Sequence, residues 1–355
     1  MNYLIFPALD ATIYEYFPNR NTGIDPILEL NKYTSGSSGP NGDIFTSNYN
    51  SRILIKFNLN TISQSIASGD IINPKYYLNL SAIDSNDLPI EYTLYAYPVS
   101  ESWVNGNGNF NDSPQITTGV SWNYRSGVEI GDNWSIPGGT WYSGSGYEAS
   151  QSFSYSSPDI RMDITDIVNL WISGSIPNNG LILKRSYEDE NSSAIFGELK
   201  FFGKDTHTIF VPKLETLWQD VDLSGTGSVS EIEDDRYVVY INNIRSTYQA
   251  GSRAKLRIGV RPEFPTLTYA TSSNYLTNYR LPISSSYAIK DTVTDTYIIN
   301  FDDTYTQLSC DDDGNFFNIR LNGFLPERYY TILIKSIHSD QILIHDNGYF
   351  FNVSR

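Results

Sequence analysis

The sequence has little of the side-chain chemistry on which most enzymes depend. Its 355 residues include one cysteine, two methionines and three histidines. The single cysteine, Cys310, excludes an intramolecular disulfide, and we expect it to be a buried, inert thiol. The histidines, His207, His338 and His345, match no HExxH-type ligand spacing, and no GxSxG nucleophile motif is present. We therefore expect no enzymatic activity, no catalytic residue and no cofactor.

Charged residues are also scarce, at 18% of the chain against about a quarter in an average protein. The net charge is −16, and the basic side chains of segment 253–261 alternate with apolar ones instead of clustering. Because phosphate backbones bind clustered lysine and arginine, we expect no nucleic-acid partner. No apolar run approaches the roughly 20 residues of a membrane-spanning helix, so we expect no membrane partner. Met1–Pro7 lacks the basic and apolar regions of a signal peptide, which predicts synthesis in a cytoplasm.

The residues that are abundant favour β-structure. The chain has 27 tyrosines, and its polar surface relies on Asn, Ser, Thr and Gly. Short apolar runs such as Tyr76–Leu80 and Tyr237–Ile241 recur between turn residues, and Ile53–Leu59 partly alternates, as in a strand with one buried face. We predict an all-β fold with two β-sandwich domains in tandem. The Gly/Ser segment 223–228 looks like a linker, so we place the domains at 1–218 and 219–355.

One segment has a helical period instead. Between Asp163 and Ile172 the apolar residues fall on one helical stripe, formed by Ile164, Ile167, Val168 and Trp171. Asp163 or Thr165 could cap the start of this helix, and Gly174 could end it. We predict one short helix near 163–173 that covers an end of the first sandwich, with its tryptophan in the core.

The Gly/Asn/Ser-rich stretch from Trp103 to Ser157 contains the best candidates for a functional site. Loops of this length in compact domains are usually functional or mobile. Sugars stack on Trp and Tyr rings while polar side chains bind their hydroxyls. The candidates for glycan or partner contact are Trp134, Trp141, Tyr142 and Tyr147. The alternative is that these rings fold back over the sandwich or lie in a subunit interface. A second Gly/Ser tract, 34–43, is predicted to be a flexible loop.

The acidic run Asp311–Asn315 allows two interpretations. Asp311, Asp313 and Asn315 could supply oxygen ligands to Ca²⁺. However, the run lacks the spaced DxDxDG pattern and the closing Glu of an EF-hand loop. A hairpin turn, in which the Asp–Gly pair supplies a positive φ, is the favoured interpretation, so we predict no metal site.

A series of short motifs in the first 215 residues indicates a family likeness. In order they are Asp10–Ile13, Pro18–Gly23, Ile27–Leu30, Ser51–Leu59, Gly119–Trp122, Gly139–Trp141, Asp163–Trp171 and Asn179–Leu183. This part of the chain resembles the DNRLRE-type modules, which are β-sandwiches similar to carbohydrate-binding modules. The resemblance implies a jelly-roll-like sandwich. It implies no particular ligand, because such modules serve as glycan binders, spacers and assembly units.

Three segments in the second part, Tyr237–Ile241, Ile258–Pro262 and Phe316–Leu321, carry a looser likeness. They resemble the Ig-like accessory domains of tailed-phage virion proteins. Together the two resemblances imply a non-enzymatic virion structural protein of the neck, collar, tail or capsid surface. Such a protein would lie in the virion, contact other virion proteins and form a homo-oligomer or a symmetric multi-copy assembly. The alternative is a glycan-binding module of a host-recognition fibre or a cell-surface protein.

Overall fold

The computed structural model describes residues 1–36, 42, 44–45, 47–86, 89, 91–154, 158–194, 196–265, 277–338 and 341–355, with only the backbone of 84–86. The predicted flexible loop at 34–43 lies largely outside these residues. The chain forms two compact units. The N-terminal unit comprises Ile5–Asp70 and Lys75–Glu215, and the C-terminal unit comprises Met1–Leu4, Ile71–Pro74 and Thr216–Arg355.

In the part of the chain that the structure describes, the secondary structure is mainly β, with 42% of the residues in strands and 8% in helices, which confirms the predicted all-β class. The elements up to residue 217 are β1 (Asn2–Ile5), β2 (Pro7–Tyr14), β3 (Ile27–Tyr33), β4 (Tyr49–Phe57), α1 (Asn60–Ala67), β5 (Lys75–Leu80), β6 (Ala82–Asn86), β7 (Glu91–Pro98), β8 (Ala149–Ser154), β9 (Ile160–Asp163), α2 (Thr165–Ile172), β10 (Leu181–Lys184), α3 (Tyr187–Asn191), β11 (Glu198–Phe202) and β12 (Lys213–Leu217). They are followed by a 3-10 turn (Ser224–Gly227), β13 (Tyr237–Ile241), β14 (Thr247–Gln249), β15 (Arg253–Pro262), β16 (Ser286–Asp291), β17 (Tyr297–Ile299), β18 (Ser309–Asp311), β19 (Gly314–Arg320), β20 (Tyr329–His338), β21 (Gln341–His345) and β22 (Phe350–Ser354).

The N-terminal unit is organised around a large antiparallel sheet with the strand order β6-β11-β3-β4-β10-β7-β8, and β2 also pairs with β4. A smaller sheet contains β12, β5 and β9. In β4 and β10, consecutive residues such as Ile53–Ile55 and Leu181–Leu183 are all buried. Because successive side chains of a strand point to opposite faces, the centre of the large sheet is covered on both sides. The expectation of one buried face therefore fails for 53–55, whereas burial does alternate from Lys56 to Leu59.

The C-terminal unit contains two sheets, with the orders β13-β15-β19-β18 and β14-β22-β20-β16-β17, and β21 pairs with β20. The strand pairs of this unit are antiparallel except β14 with β22. Alternate residues of both sheets enter one hydrophobic core, for example Ile258 and Val260 of β15 with Ile332 and Ile334 of β20. Two sheets that share one core in this way form a β-sandwich.

Helix α2 confirms the helix predicted near 163–173. Its buried side chains are Ile167, Val168 and Trp171, as the apolar stripe predicts. The backbone N–H of Thr165 donates to Asp163 Oδ1 at 2.9 Å, and Gly174, with φ of +75°, follows its end. The structure adds α1 and α3, so the prediction of a single helix was incomplete. No helix in the described part of the chain has the length and apolar character needed to span a membrane.

Candidate functional site

The tryptophan-rich segment between β7 and β8 packs on one face of the large sheet. Trp103, Trp122 and Trp134 join a core cluster with Leu54 of β4 and Ile182 of β10. The indole of Trp103 donates to the carbonyl of Asn179 at 2.8 Å, and that of Trp134 donates to the carbonyl of Ser121 at 3.0 Å. Only 3% of Trp134 is exposed, so its ring has no free face for a sugar. Trp134 is therefore a core residue and not the contact residue that the sequence suggested.

The same segment is anchored by Asn21, which is fully buried. Its Nδ2 donates to the carbonyls of Asn105 and Val120, at 2.7 and 2.8 Å, and its Oδ1 accepts from the N–H of Gly108 at 2.8 Å. A Cβ at Gly106 would lie 2.3 Å from Asn21 Oδ1, so this position has room only for glycine. Gly106, Gly108 and Gly119 of this stretch therefore serve close packing against Asn21.

A buried ionic cluster joins the sheet to α3. The Nε and Nη2 of Arg52 donate to the two carboxylate oxygens of Glu190, at 3.0 and 2.7 Å, and Lys184 Nζ lies 3.0 Å from Glu190 Oε2. The third guanidinium nitrogen of Arg52 donates to the carbonyl of Gly138 at 2.7 Å. Burial lowers the pKa of Lys184, although Glu190 opposes the shift. One carboxylate therefore pairs with two buried cations in a water-poor environment.

Trp141, the second predicted contact residue, is only partly buried and lies above this cluster. Its ring is 5.1 Å from the Arg52 guanidinium and 5.2 Å from Lys184 Nζ. The Tyr97 ring is 6.0 Å away, and the Tyr95 ring follows at 6.3 Å from Tyr97. We call Tyr95, Tyr97 and Trp141 the aromatic row. The cation–π contacts fix the Trp141 ring from one side.

Tyr142 and Tyr147, the remaining predicted contact residues, stack on each other with ring centroids 5.6 Å apart and planes inclined by 24°. The turn between them relies on Gly144 and Gly146, whose φ angles of +114° and +86° favour glycine. The structure thus brings two of the predicted contact residues together, and Tyr147 also lines a cleft.

The cleft has a volume of about 410 Å³ and lies between the Tyr147 turn and the exposed side of α2. We call it the Tyr147 cleft; its lining residues are Ser145, Gly146, Tyr147, Asp166, Asn169, Leu170 and Ser173. Asp166, Asn169, Leu170 and Ser173 are spaced by three and four positions, so they form one stripe along the helix. The stripe places a carboxylate, an amide and a hydroxyl around an apolar centre.

Two polar side chains of the Tyr147 cleft are available to a ligand. Within the described residues, the side chains of Asp166 and Asn169 make no hydrogen bond or ion pair, and both residues are exposed. Asp166 also lines a neighbouring depression of about 130 Å³ together with Glu148, Asp163 and Lys75. Carboxylates therefore outnumber cations around the cleft. Asp166 and Asn169 were not predicted, because only the buried stripe of this helix carries a periodic apolar signal in the sequence.

A second, larger cleft of about 550 Å³ lies beside α1 and the end of α2. Its aromatic lining residues, Phe57 and Trp171, are only 1% and 7% exposed, so they offer little ring surface. The indole nitrogen of Trp171 is buried without a hydrogen-bond partner in the described chain. The Tyr147 cleft is therefore the better candidate for stacking a ligand.

The weak calcium candidate in the C-terminal unit is not supported. The Asp311 carboxylate accepts from both terminal guanidinium nitrogens of Arg257, with Nη2 to Oδ2 at 2.8 Å, and Lys255 Nζ lies 2.9 Å away. These hydrogen bonds hold the pKa of Asp311 well below its usual range, despite partial burial. Asp313 is also oriented toward Arg257 Nη2, at 3.3 Å. The carboxylates thus neutralise cations of this chain.

The third calcium candidate, Asn315, is a buried residue whose Oδ1 accepts from the N–H of Leu281 at 2.7 Å. The residues around it form the expected hairpin, in which Asp311 pairs with Gly314 and Gly314 has a φ of +110°. No group of three or more His, Cys, Asp or Glu side chains in the described ranges is arranged to hold a metal ion. The hairpin interpretation of 311–315 is confirmed.

Comparisons with known proteins add little to this geometry. No family model and no curated protein matches the chain. Among solved structures, it is similar to a β-glucuronidase of Parabacteroides merdae, with 10% identity and a TM-score of 0.19, over 79% of this chain and 28% of that one. It is also similar to a DUF4785 family protein of Legionella pneumophila, with 10% identity and a TM-score of 0.18, over 99% of this chain and 62% of that one. The chain thus spans less than two thirds of either structure, and similarity this weak establishes neither a family nor a function.

Proposed function

We propose that the N-terminal unit binds a saccharide in the Tyr147 cleft, as a non-enzymatic recognition module. The observation that carries this proposal is that Tyr147, whose ring stacks on Tyr142, lines one cleft together with Asp166 and Asn169 of α2. An aromatic ring binds the apolar C–H face of a sugar, while carboxylate and amide groups bind its hydroxyls. The Tyr142 ring holds Tyr147 in place, which reduces the entropy lost on binding.

The charge around the cleft favours a neutral saccharide. Asp166 lines it directly, and Asp163 and Glu148 lie next to Asp166, against the single cation of Lys75. A uronic or sialic acid would bring a further negative charge to this site in a protein of net charge −16. Like charges at close range cost binding energy. Neutral chains such as cellohexaose, maltohexaose or chitohexaose are therefore the probes of choice.

Calorimetric titration of the full chain with these three hexasaccharides, and with hyaluronan and polygalacturonate fragments as anionic probes, tests the proposal. Tyr147→Ala should weaken binding of the neutral hexasaccharide at least about tenfold, the equivalent of one stacked ring. The matched control is Tyr187→Ala, because Tyr187 is 75% exposed elsewhere in the same unit. Equal affinity of the two variants, or binding of the anionic probes alone, would contradict the proposal.

A second function is favoured by the surface of the C-terminal unit. Ile342, Ile344 and Phe350 are 65%, 55% and 54% exposed there, although outward positions of a sandwich are usually polar. With the resemblance of the sequence to virion proteins, these side chains support a role as a structural component that contacts other virion proteins. Mass spectrometry of purified particles should detect the polypeptide in stoichiometric amounts. Its absence from intact particles would exclude this role.

A further inference from the structure

The sheets of the C-terminal unit end in strands of very different character. Three of the edge strands, β14, β17 and β18, have only three residues each. The longer edge strand β13 is partly covered, since Asn347 Nδ2 donates to the carbonyl of Val239. Strand β21 has five residues and pairs only with β20 among the described strands. In the described part of this unit, β21 is therefore the edge strand that is longer than three residues and that no other segment covers.

Strand β21 also lacks the features that usually prevent an edge from pairing with another chain. Its sequence, Gln-Ile-Leu-Ile-His, contains no lysine, proline or glycine, and its pairing with β20 shows no bulge. Ile342 and Ile344 lie on the outer face and are 65% and 55% exposed. Its outward N–H and C=O groups have no backbone partner in the described chain. An extended strand is the structure that satisfies such a row of groups.

We propose that β21 pairs antiparallel with β21 of a second copy of this chain, forming a sheet that continues across a two-fold homodimer. The strand is complementary to itself. In the register centred on Leu343, all five residues pair: Ile342 lies opposite Ile344 of the second copy, Gln341 lies opposite His345, and the two Leu343 residues face each other. Two apolar Ile–Ile pairs and two polar pairs result, with matching character on each face.

Strand β21 is a place where the charge of the chain opposes self-association least. Each copy carries a net charge of −16, so two copies repel each other through most surfaces. Strand β21 itself has no Asp or Glu, so its five residues can pair without a carboxylate among them, although Asp340 and Asp346 flank it in the sequence. An isologous contact of this kind closes into a dimer and does not propagate. The inference concerns the C-terminal unit and does not depend on the saccharide proposal.

The first test is the oligomeric state of the full chain by sedimentation velocity and light scattering between about 1 and 200 µM. The mass should rise from 40.1 kDa toward twice that value. We expect a dissociation constant on the order of 10–100 µM, since five paired residues make a small interface. Ile342→Lys and Ile344→Lys should each keep the chain monomeric. The matched control is Val293→Lys, at a residue 79% exposed in a turn of the same unit, and it should dimerise like the wild type.

A cysteine scan tests the register, because the only native cysteine is buried. In the proposed pairing the two residues at 343 lie about 5 Å apart, within disulfide range. Residue 342 lies opposite residue 344 of the second copy. The two residues at 342 are therefore two positions apart along the strands and lie about 8 Å apart, outside that range. Leu343→Cys should therefore form a disulfide-linked dimer under mild oxidation, and Ile342→Cys should not. A wild-type chain that is monomeric at 200 µM, a dimer that both lysine variants retain, or equal crosslinking at the two positions would overturn the inference.

Discussion

Replacing Glu190 by glutamine should be among the most destabilising single changes in the N-terminal unit. Glutamine keeps the shape of the side chain but removes the charge that Arg52 and Lys184 share, at 2.7 and 3.0 Å. The exposed fractions of Arg52, Lys184 and Glu190 are 8%, 3% and 5%, so water cannot replace the lost partner. The amide NH₂ of the new glutamine would also place an N–H donor against the N–H donors of Arg52 and Lys184.

The expected magnitude follows from the burial of the cluster. Removing one partner of a buried ion pair costs about 3–5 kcal/mol, because an uncompensated charge remains in the interior. For a unit of this size, the melting temperature should fall by roughly 6–20 °C. Glu188→Gln is the matched control, because Glu188 lies two residues earlier on α3 and is exposed. Its change in unfolding free energy should stay within about 0.5 kcal/mol.

Denaturant unfolding followed by tryptophan fluorescence measures this difference. Five of the six tryptophans lie in the N-terminal unit, so the signal reports mainly on that unit. The reasoning is refuted if the two variants unfold within 1 kcal/mol of each other, or if Glu188→Gln is the more damaging change. Either result would show that the Glu190 carboxylate is not the partner of the two cations in solution.

Three other variants test the environments of two carboxyl groups and one buried indole. Burial raises the pKa of Asp10 to about 7, well above its value in an unfolded chain. The contribution of Asp10 to stability is therefore complete below about pH 4 and is lost as the pH rises through 7. In thermal scans, Asp10→Asn should flatten the loss of stability of the N-terminal unit between pH 4 and 8. Although burial opposes the shift, hydrogen bonds from Arg328 lower the pKa of Asp291 to about 2, which stabilises the C-terminal unit above about pH 4 and less as the pH falls toward 2. Arg328→Gln should therefore move the acid-unfolding midpoint of this unit to higher pH, as measured by circular dichroism. Trp134→Phe leaves the carbonyl of Ser121 without its donor and should cost about 1–3 kcal/mol in denaturant titrations, with saccharide affinity unchanged.

The strands and the helix α2 could be predicted because their signals are local. Alternation and turn residues mark strands such as β13, and the stripe of Ile167, Val168 and Trp171 marks the helix. Helix α3 was missed, although Ser186 accepts from the N–H of Asp189 as an N-cap should, at 3.0 Å. Three acidic residues, Glu188, Asp189 and Glu190, lie in its first turn. A capping pattern in front of an acidic run was the available signal.

The second buried face of β4 could not be predicted because its cover comes from far along the chain. Leu54 packs against Trp122 and Trp134, some 70 to 80 residues later. The same separation along the sequence explains why the burial of Trp134 was not predicted. Its glycine-rich neighbourhood suggested exposure. Several glycines of the 103–157 stretch, such as Gly106, instead allow the backbone to approach Asn21. Composition alone does not distinguish a tightly packed segment from a mobile one.

Part of the candidate site could be predicted from the sequence. Tyr142 and Tyr147 stand out as aromatic residues among glycine and serine, and the structure stacks them. Asp166 and Asn169, which line the same cleft, lie on the polar side of α2. Exposed polar residues on a helix are common, so they give no signal in the sequence. The cleft depends on a tertiary contact between this helix and the 142–147 turn. Such contacts leave no local pattern.

The measurement that tests the central claim most directly is a crystal structure of the full chain grown with whichever neutral hexasaccharide binds in calorimetry. The account predicts a sugar ring within about 4 Å of the Tyr147 ring, with a hydroxyl about 3 Å from Asp166 or Asn169. Sugar density on the aromatic row of Tyr95, Tyr97 and Trp141, with the Tyr147 cleft unoccupied, would contradict it.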